Sequence, residues 1–236
     1  MEPSLDAFPL PAGNTTNYWN KKYSSMKQVW GGEPSTAAYH AANYLTSHRK
    51  KGGRLLDLGC GYGRDSIYFS EEGYSVTGID TSSEAIRLAR STFPDQHFVN
   101  MDFRDNTFPE HCFSYIFANF FFHLITDRVV RLQISVDCHK LLAPAGLLFA
   151  SLSSIKDQDY SNGIQVGPNL VKNSRDVVKV FYDEELINRD FCHFNIIDIF
   201  SFSENHTHDK PHSHENYMVI AERREFYPHV TKAIAS

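Results

Sequence analysis

Gly59, Gly61 and Gly63 follow Asp57 at single-residue spacing within Arg54–Arg64, R-L-L-D-L-G-C-G-Y-G-R. Leu55, Leu56 and Leu58 form a short apolar run bounded by turn signals, which reads as a buried strand. A carboxylate inside that run, Asp57, is costly unless donors meet it. Glycines let the chain turn sharply and let a ligand approach the backbone. Helical spacing resumes from Arg64 to Phe69. The glycines therefore make a strand-to-helix turn, where doubly wound sheets hold ligands at a helix N-terminus.

The dinucleotide fingerprint is G-x-G-x-x-G. Here the pattern is D-x-G-x-G-x-G, with an acid ahead of the first glycine. A negative charge there disfavours a pyrophosphate and favours a ligand that carries an ammonium group. S-adenosylmethionine fits, with an amino-acid end, a sulfonium, an adenosine and no phosphate. Val76–Asp80 reads as a second strand ending in an acid, at the position where a carboxylate accepts from both ribose hydroxyls. Asp102 and Phe103 follow a third strand, Phe98–Met101, and Asp102 is placed to accept from an adenine amino group. The plainer alternatives are a solvated strand-end carboxylate at Asp80 and a simple loop carboxylate at Asp102.

These residues must be held by a regular scaffold, and the chain supplies one. Ser83 opens a helix to Arg90, with Glu84 early and Arg90 late, as the helix dipole prefers. Tyr115–Ala118 is a fourth strand ending at Asn119, a helix spans Arg128–Leu142, and Leu147–Leu152 is a fifth strand. Asp183 opens another helix, and Phe194–Phe202 with Tyr217–Ala221 form a terminal antiparallel pair. The expectation is an α/β, doubly wound, seven-stranded Rossmann-like sheet of five parallel strands plus that pair. It spans one domain, 1–236, with a loosely ordered segment at 1–17 and a tail at 224–236 that frays. Residues 18–50 hold Tyr18-Trp19-Asn20-Lys21-Lys22-Tyr23, aromatics that either pack on the domain or form a flap over the ligand. Residues 153–181 are polar, weakly periodic and glycine-bearing, and read as an irregular lid past the fifth strand.

Two places offer proton chemistry. His123, after Asn119-Phe120-Phe121-Phe122, sits at the mouth of the fourth strand and is either a base or a packed helix-start histidine. The turn between the last two strands holds His206, His208, His212 and His214 as two H-x-H pairs. Alternate strand residues face one way, so each pair presents two imidazoles to one side. The spacing matches no standard zinc module. Three readings stand: a solvated, mobile hairpin tip, a metal site, or one or two imidazoles reaching the active site, and the expectation at the reaction is His206 or His208 acting by itself rather than in a metal cage.

A net charge of −5 argues against nucleic acid as partner, and no apolar run reaches membrane-spanning length. The first twenty residues are polar and proline-rich, unlike a signal peptide. Cys60, Cys112, Cys138 and Cys192 form no C-x-x-C pair and read as reduced thiols, so the expected location is cytoplasmic.

The run L-L-D-L-G-C-G-Y-G-R-D-S-I-Y-F, with Gly73-Tyr74, Val76 and Asp80, resembles the class I S-adenosylmethionine-dependent methyltransferases. Within them, Tyr18-Trp19 to Tyr23 is similar to the aromatic N-terminal segment of the TehB-type tellurite-resistance methyltransferases. The resemblance implies methyl transfer from S-adenosylmethionine to a small-molecule acceptor, such as a chalcogen or metalloid oxyanion. The residues expected around the cofactor are Tyr18, Trp19, Asp57, Gly59, Cys60, Gly61, Gly63, Arg64, Asp80, Thr81, Asp102, Phe103 and Asn119. Those expected at the reaction are His123, His206 and Asp157, with Asp159 a second candidate for the family's acid after the fifth strand. The family's histidine–arginine pair has no arginine here, since Thr207 follows His206 and Asp209 follows His208. Two alternatives stand beside this reading. One is O- or N-methylation of an organic metabolite; the other is a module that binds S-adenosylmethionine or metal without activity.

Overall fold

Alternation along β1 (Arg54–Leu58) sends Leu56 and Leu58 to one face of a sheet and Leu55 to the other. Asp57 therefore points the same way as Leu55. Both faces are covered, so the strands run as near-continuous apolar stretches. The computed structural model describes residues 12–49, 51–173, 176–206 and 212–225.

In chain order the elements are α1 (Ala12–Met26), α2 (Thr36–His48), β1, α3 (Arg64–Glu71), β2 (Ser75–Asp80), α4 (Ser83–Thr92) and β3 (His97–Asn100). They continue with β4 (Phe113–Asn119), α5 (Arg128–Leu141), β5 (Leu142–Ser153), α6 (Gln158–Asn162), β6 (Ile164–Gly167) and β7 (Leu170–Lys172). The last are β8 (Val178–Val180), α7 (Glu184–Asp190), β9 (Phe194–His206) and β10 (His212–Arg223). Seven strands form one sheet in the order β3-β2-β1-β4-β5-β10-β9, with β1–β5 parallel and β10 antiparallel to both neighbours. The strand order reverses beside β1, so β1 and β4 flank the switch point where such sheets bind ligands.

Helix starts follow the side-chain caps that the sequence offers. Ser35 accepts from the Ala38 amide, Ser82 from that of Ala85, and Asp183 from that of Leu186. Helices α5 and α7 cover one face, where Leu56, Ile116, Leu148, Ile134 and Ile187 meet. Helices α2 and α3 cover the other with Ala41, Leu45 and Phe69 against Leu55, Phe117 and Phe149.

Three expectations change. Residues 153–181 are not irregular, because β6, β7 and β8 pair antiparallel in a small second sheet. Its strands are three or four residues long, too short to show a period. Helix α1 begins at Ala12, inside the segment expected to be loosely ordered. The last two strands run much further than their apolar cores, pairing through His206 and His212. His214 thus lies within a strand, opposite Glu204, and not in a turn. His208 falls outside the described residues, as does most of the 224–236 tail.

Helices α5 and α7 are tied by a buried ion pair, Arg131 Nε to Asp190 Oδ2, and Arg131 also donates to the Ile125 carbonyl at 2.7 Å. Removing one member of such a pair leaves an uncompensated charge. We expect Arg131→Met to lower stability by about 3–5 kcal/mol. The double variant Arg131→Met/Asp190→Leu should regain most of that loss. Urea denaturation of the three proteins checks this.

Candidate active site

Three carboxylates converge where β1 and β2 end. Asp57, carried to the α3 face by strand alternation, is buried and accepts from Ser66 Oγ on α3 at 2.5 Å. Burial pushes its pKa up to about 8, and the nearby Asp65 charge adds to this. Asp80, at the end of β2, accepts from the Gly61 amide at 2.9 Å and the Ser82 amide at 2.8 Å. Burial raises its pKa, and those two amides oppose the rise. Asp65, in the first turn of α3, accepts from the Ser35 amide at 2.7 Å, from Ser35 Oγ at 2.9 Å and from Asn119 Nδ2 at 3.1 Å.

The glycine turn is closely covered. Gly61 has φ of +55°, and a Cβ there would lie 2.8 Å from Tyr23 Oη. Gly59 has φ of +80°, and its Cβ would sit 3.0 Å from the Phe121 ring. Side chains at either position would collide with the aromatic groups from α1 and from the end of β4. Helix α1 is fixed to α4 through Asn20 Oδ1, which accepts from Ser82 Oγ at 2.7 Å. Trp19 and Trp30 pack against Tyr23, Tyr62 and Ala85. Tyr18 stands edge-on to Trp19.

The other residues expected at the cofactor have the following partners in the protein. The Cys60 side chain packs beneath α4 with Ile86, Ala89 and Phe98. Phe103 is buried in the main core. Arg64 turns toward the N-terminal segment, donating to the Trp30 carbonyl at 2.9 Å and lying 3.7 Å from Glu204. Asp102 pairs with Arg104 and caps the turn at Phe103–Asp105, and the Arg104 hydrogen bond holds its carboxyl below the usual range. Thr81 is exposed, and its carbonyl accepts from Asn100 Nδ2. Asn119 is fixed from both ends, accepting from Ser151 Oγ and donating to Asp65.

A second group lies past β5. Asp157 is buried and caps α6. Its Oδ1 accepts from the Asp159 amide at 2.7 Å, while Oδ2 accepts from the Glu215 amide at 2.7 Å and meets His214 Nδ1 at 3.0 Å. Burial pushes Asp157 up, but the His214 and Asp159 hydrogen bonds outweigh it and hold the carboxyl below its ordinary value. His123 is buried, with Nδ1 3.2 Å from Ser153 Oγ. Burial, then the charges of Lys179 and His214, hold it well below the usual imidazole range, so it is neutral at pH 7. The His206 side chain lies outside the described residues. Asp157, Asp159 and His214 have ligand-type atoms within 4.8 Å of one another. The amide and imidazole donors already engage both Asp157 oxygens.

Sequence reasoning did not single out Asp65, and it named His214 only as one of four histidines in two H-x-H pairs. Asp65 follows the glycines as an ordinary first-turn acid, and nothing local shows that Ser35 and Asn119 converge on it. His214 lay in the suspected H-x-H pattern, but which imidazole points inward depends on how far β10 extends.

Residues 55–146 match the family model described as a methyltransferase domain. Over 96 residues the chain is 35% identical to trans-aconitate 2-methyltransferase of Escherichia coli, covering 40% of this chain and 36% of that protein. The chain spans less than half the length of the curated relatives it matches. The fold is similar to 1,6-didemethyltoxoflavin-N1-methyltransferase of Burkholderia thailandensis, solved with its substrate and S-adenosylhomocysteine. The TM-score is 0.68 at 23% identity, over 95% of this chain and 94% of that one. It is also similar to TehB of Haemophilus influenzae, with a TM-score of 0.58 at 18% identity over 89% and 67%. The fold is therefore similar to that of solved S-adenosylmethionine-dependent methyltransferases. Among the described residues no helix is long and apolar enough to cross a membrane.

An ammonium brought beside Asp57 favours the ionised carboxylate. Below about pH 8 that group holds a proton, which a ligand ammonium placed beside it would expel. Affinity for S-adenosylmethionine should therefore strengthen as pH climbs from about 6 toward about 8. Calorimetry at pH 7 in two buffers of different ionisation enthalpy should show proton release, and Asp57→Asn should abolish it.

Proposed function

We propose that the protein transfers a methyl group from S-adenosylmethionine to a small-molecule acceptor. The observation that carries this reading is the acid-lined glycine turn, with Asp57, Asp65 and Asp80 converging beneath Tyr23 and Phe121. In it, Asp80 accepts from the ribose, the carboxylates at β1 and α3 face the ammonium end, and Tyr18, Trp19 and Asn119 border the donor. The sulfonium makes the donor methyl electrophilic; the chain's share is to position the acceptor and exclude water. The aromatic cover from α1 and the small sheet β6–β8 serve the second task in this reading, as parts of the same domain.

A TehB-type acceptor, a chalcogen or metalloid oxyanion, has the likeness in fold to support it. Against it stands the lack of an arginine after His206 or His208. The cluster of His123, Asp157 and His214 past β5 favours an organic O- or N-acceptor, because a soft anionic nucleophile has no proton to lose.

Asp80→Ala removes a charged acceptor, whose hydrogen bonds are worth roughly 1.5–3 kcal/mol. S-adenosylmethionine affinity should fall on the order of ten-fold or more, with the fold intact by circular dichroism. Unchanged affinity would take Asp80 out of the site.

A further inference from the structure

β4 is followed by a backbone conformation that the local side chain opposes. Phe120 has φ of +52°, in the left-handed region that a bulky L residue enters only at a cost. Glycine or asparagine is the residue suited to that position, yet the chain places a phenylalanine there. Such outliers gather where a site needs a fixed geometry. Here the residues on either side both reach the acid-lined turn. Asn119 donates from Nδ2 to Asp65 at 3.1 Å, and the Phe121 ring lies over Gly59. The next residue, Phe122, is buried in the core on the other face of the sheet.

Ser151 grips this bend from the neighbouring strand. The β4–β5 register sets it opposite Asn119. It is fully buried and follows Phe149 on the face that also carries Phe117. A hydroxyl on that face is costly unless it is hydrogen-bonded. Its Oγ accepts from the Phe120 amide at 2.9 Å and donates to Asn119 Oδ1. One hydroxyl thus engages both the strained backbone and the side chain that meets Asp65. A return of Phe120 to negative φ would redirect the chain after it and carry the Phe121 ring off Gly59.

We propose that Ser151 is a positioning residue of the donor site, a latch that keeps Phe120 at positive φ. This rests on the methyl-transfer reading above. Ser151 acts through its neighbours: the Phe120 backbone aims Phe121 at Gly59, and Asn119 is turned toward Asp65. The phenylalanine makes the latch necessary, because a glycine would hold the same bend with no help.

That last point supplies the test, a comparison of Ser151→Ala in two backgrounds. Phe120→Ala removes the ring but keeps the Cβ that opposes positive φ, whereas Phe120→Gly removes both. Affinity for S-adenosylhomocysteine is read by calorimetry. On top of Phe120→Ala, Ser151→Ala should lower affinity on the order of ten-fold, the scale of one strained backbone residue released. On top of Phe120→Gly it should lower affinity by about three-fold or less, the remainder being the lost hold on Asn119. Equal losses in the two backgrounds, or no loss in either, overturn the latch. Should Ser151→Ala fail to fold, Ser151→Cys keeps the size with a much weaker acceptor and takes its place in both backgrounds. NMR of the ligand-free protein reads the backbone directly, since a residue at positive φ brings its own amide hydrogen close to its Hα. Phe120 should show a strong cross-peak between the two in the wild type, and Ser151→Ala should weaken it. A cross-peak that Ser151→Ala leaves unchanged, or one missing from the wild type, overturns the proposal. If the wild type binds no S-adenosylhomocysteine, the methyl-transfer reading fails and the donor-site role with it, while the cross-peak still shows whether Ser151 holds the bend.

Discussion

Three buried or half-buried carboxylates at one strand-to-helix turn set the central constraint on this structure. The charges of Asp65 and Asp80 repel that of Asp57, and burial disfavours the charge on Asp57 and Asp80. The fold answers with donors. Ser66 serves Asp57, the Gly61 and Ser82 amides serve Asp80, and Ser35 with Asn119 serve Asp65. Each donor comes from a different element, so the carboxylates fix how α2, α3, α4 and β4 sit around β1. The local protein donors still leave Asp57 with a pKa near 8. A ligand that brings positive charge relieves that strain, and a phosphate aggravates it.

The same turn links the sheet to the segment before it. Tyr23 lies over Gly61, Arg64 reaches the carbonyls of Trp30 and Glu33, and Glu204 accepts from the Thr36 amide. Residues before β1 are therefore integral to the site. Glu204 extends the tie to β9, the far edge of the sheet. Burial raises the Glu204 pKa, against the opposing Thr36 hydrogen bond and Arg64 charge. A single polar chain thus runs from the outer strand to the glycine turn.

Much of this was legible in the amino-acid order because it is local. The strand–glycine–helix turn, the acid at the end of β2, and the cap at Asp183 each lie within a few residues of what they act on. Short apolar runs identified the central parallel strands because both of their faces are buried. What was not legible is long-range. Asp65 depends on a serine thirty residues upstream and an asparagine fifty-four residues downstream. Phe103 looked like a ligand-side aromatic, yet the turn capped by Asp102 rotates it into the core. His214 depends on the strand length of β10, whose outer half is polar and lacks an alternating apolar signal. The small β6–β8 sheet failed the same way, since strands of three or four residues carry no readable period.

The central claim is that the acid-lined turn selects a ligand by its ammonium group. Titrating the protein with S-adenosylhomocysteine, its N-acetyl derivative and NAD tests this most directly, because acetylation removes that charge and leaves the rest of the molecule unchanged. The account predicts clear binding of S-adenosylhomocysteine, much weaker binding of the N-acetyl compound, and none of NAD. Equal affinity for the acetylated compound, or preferential binding of NAD, would contradict it.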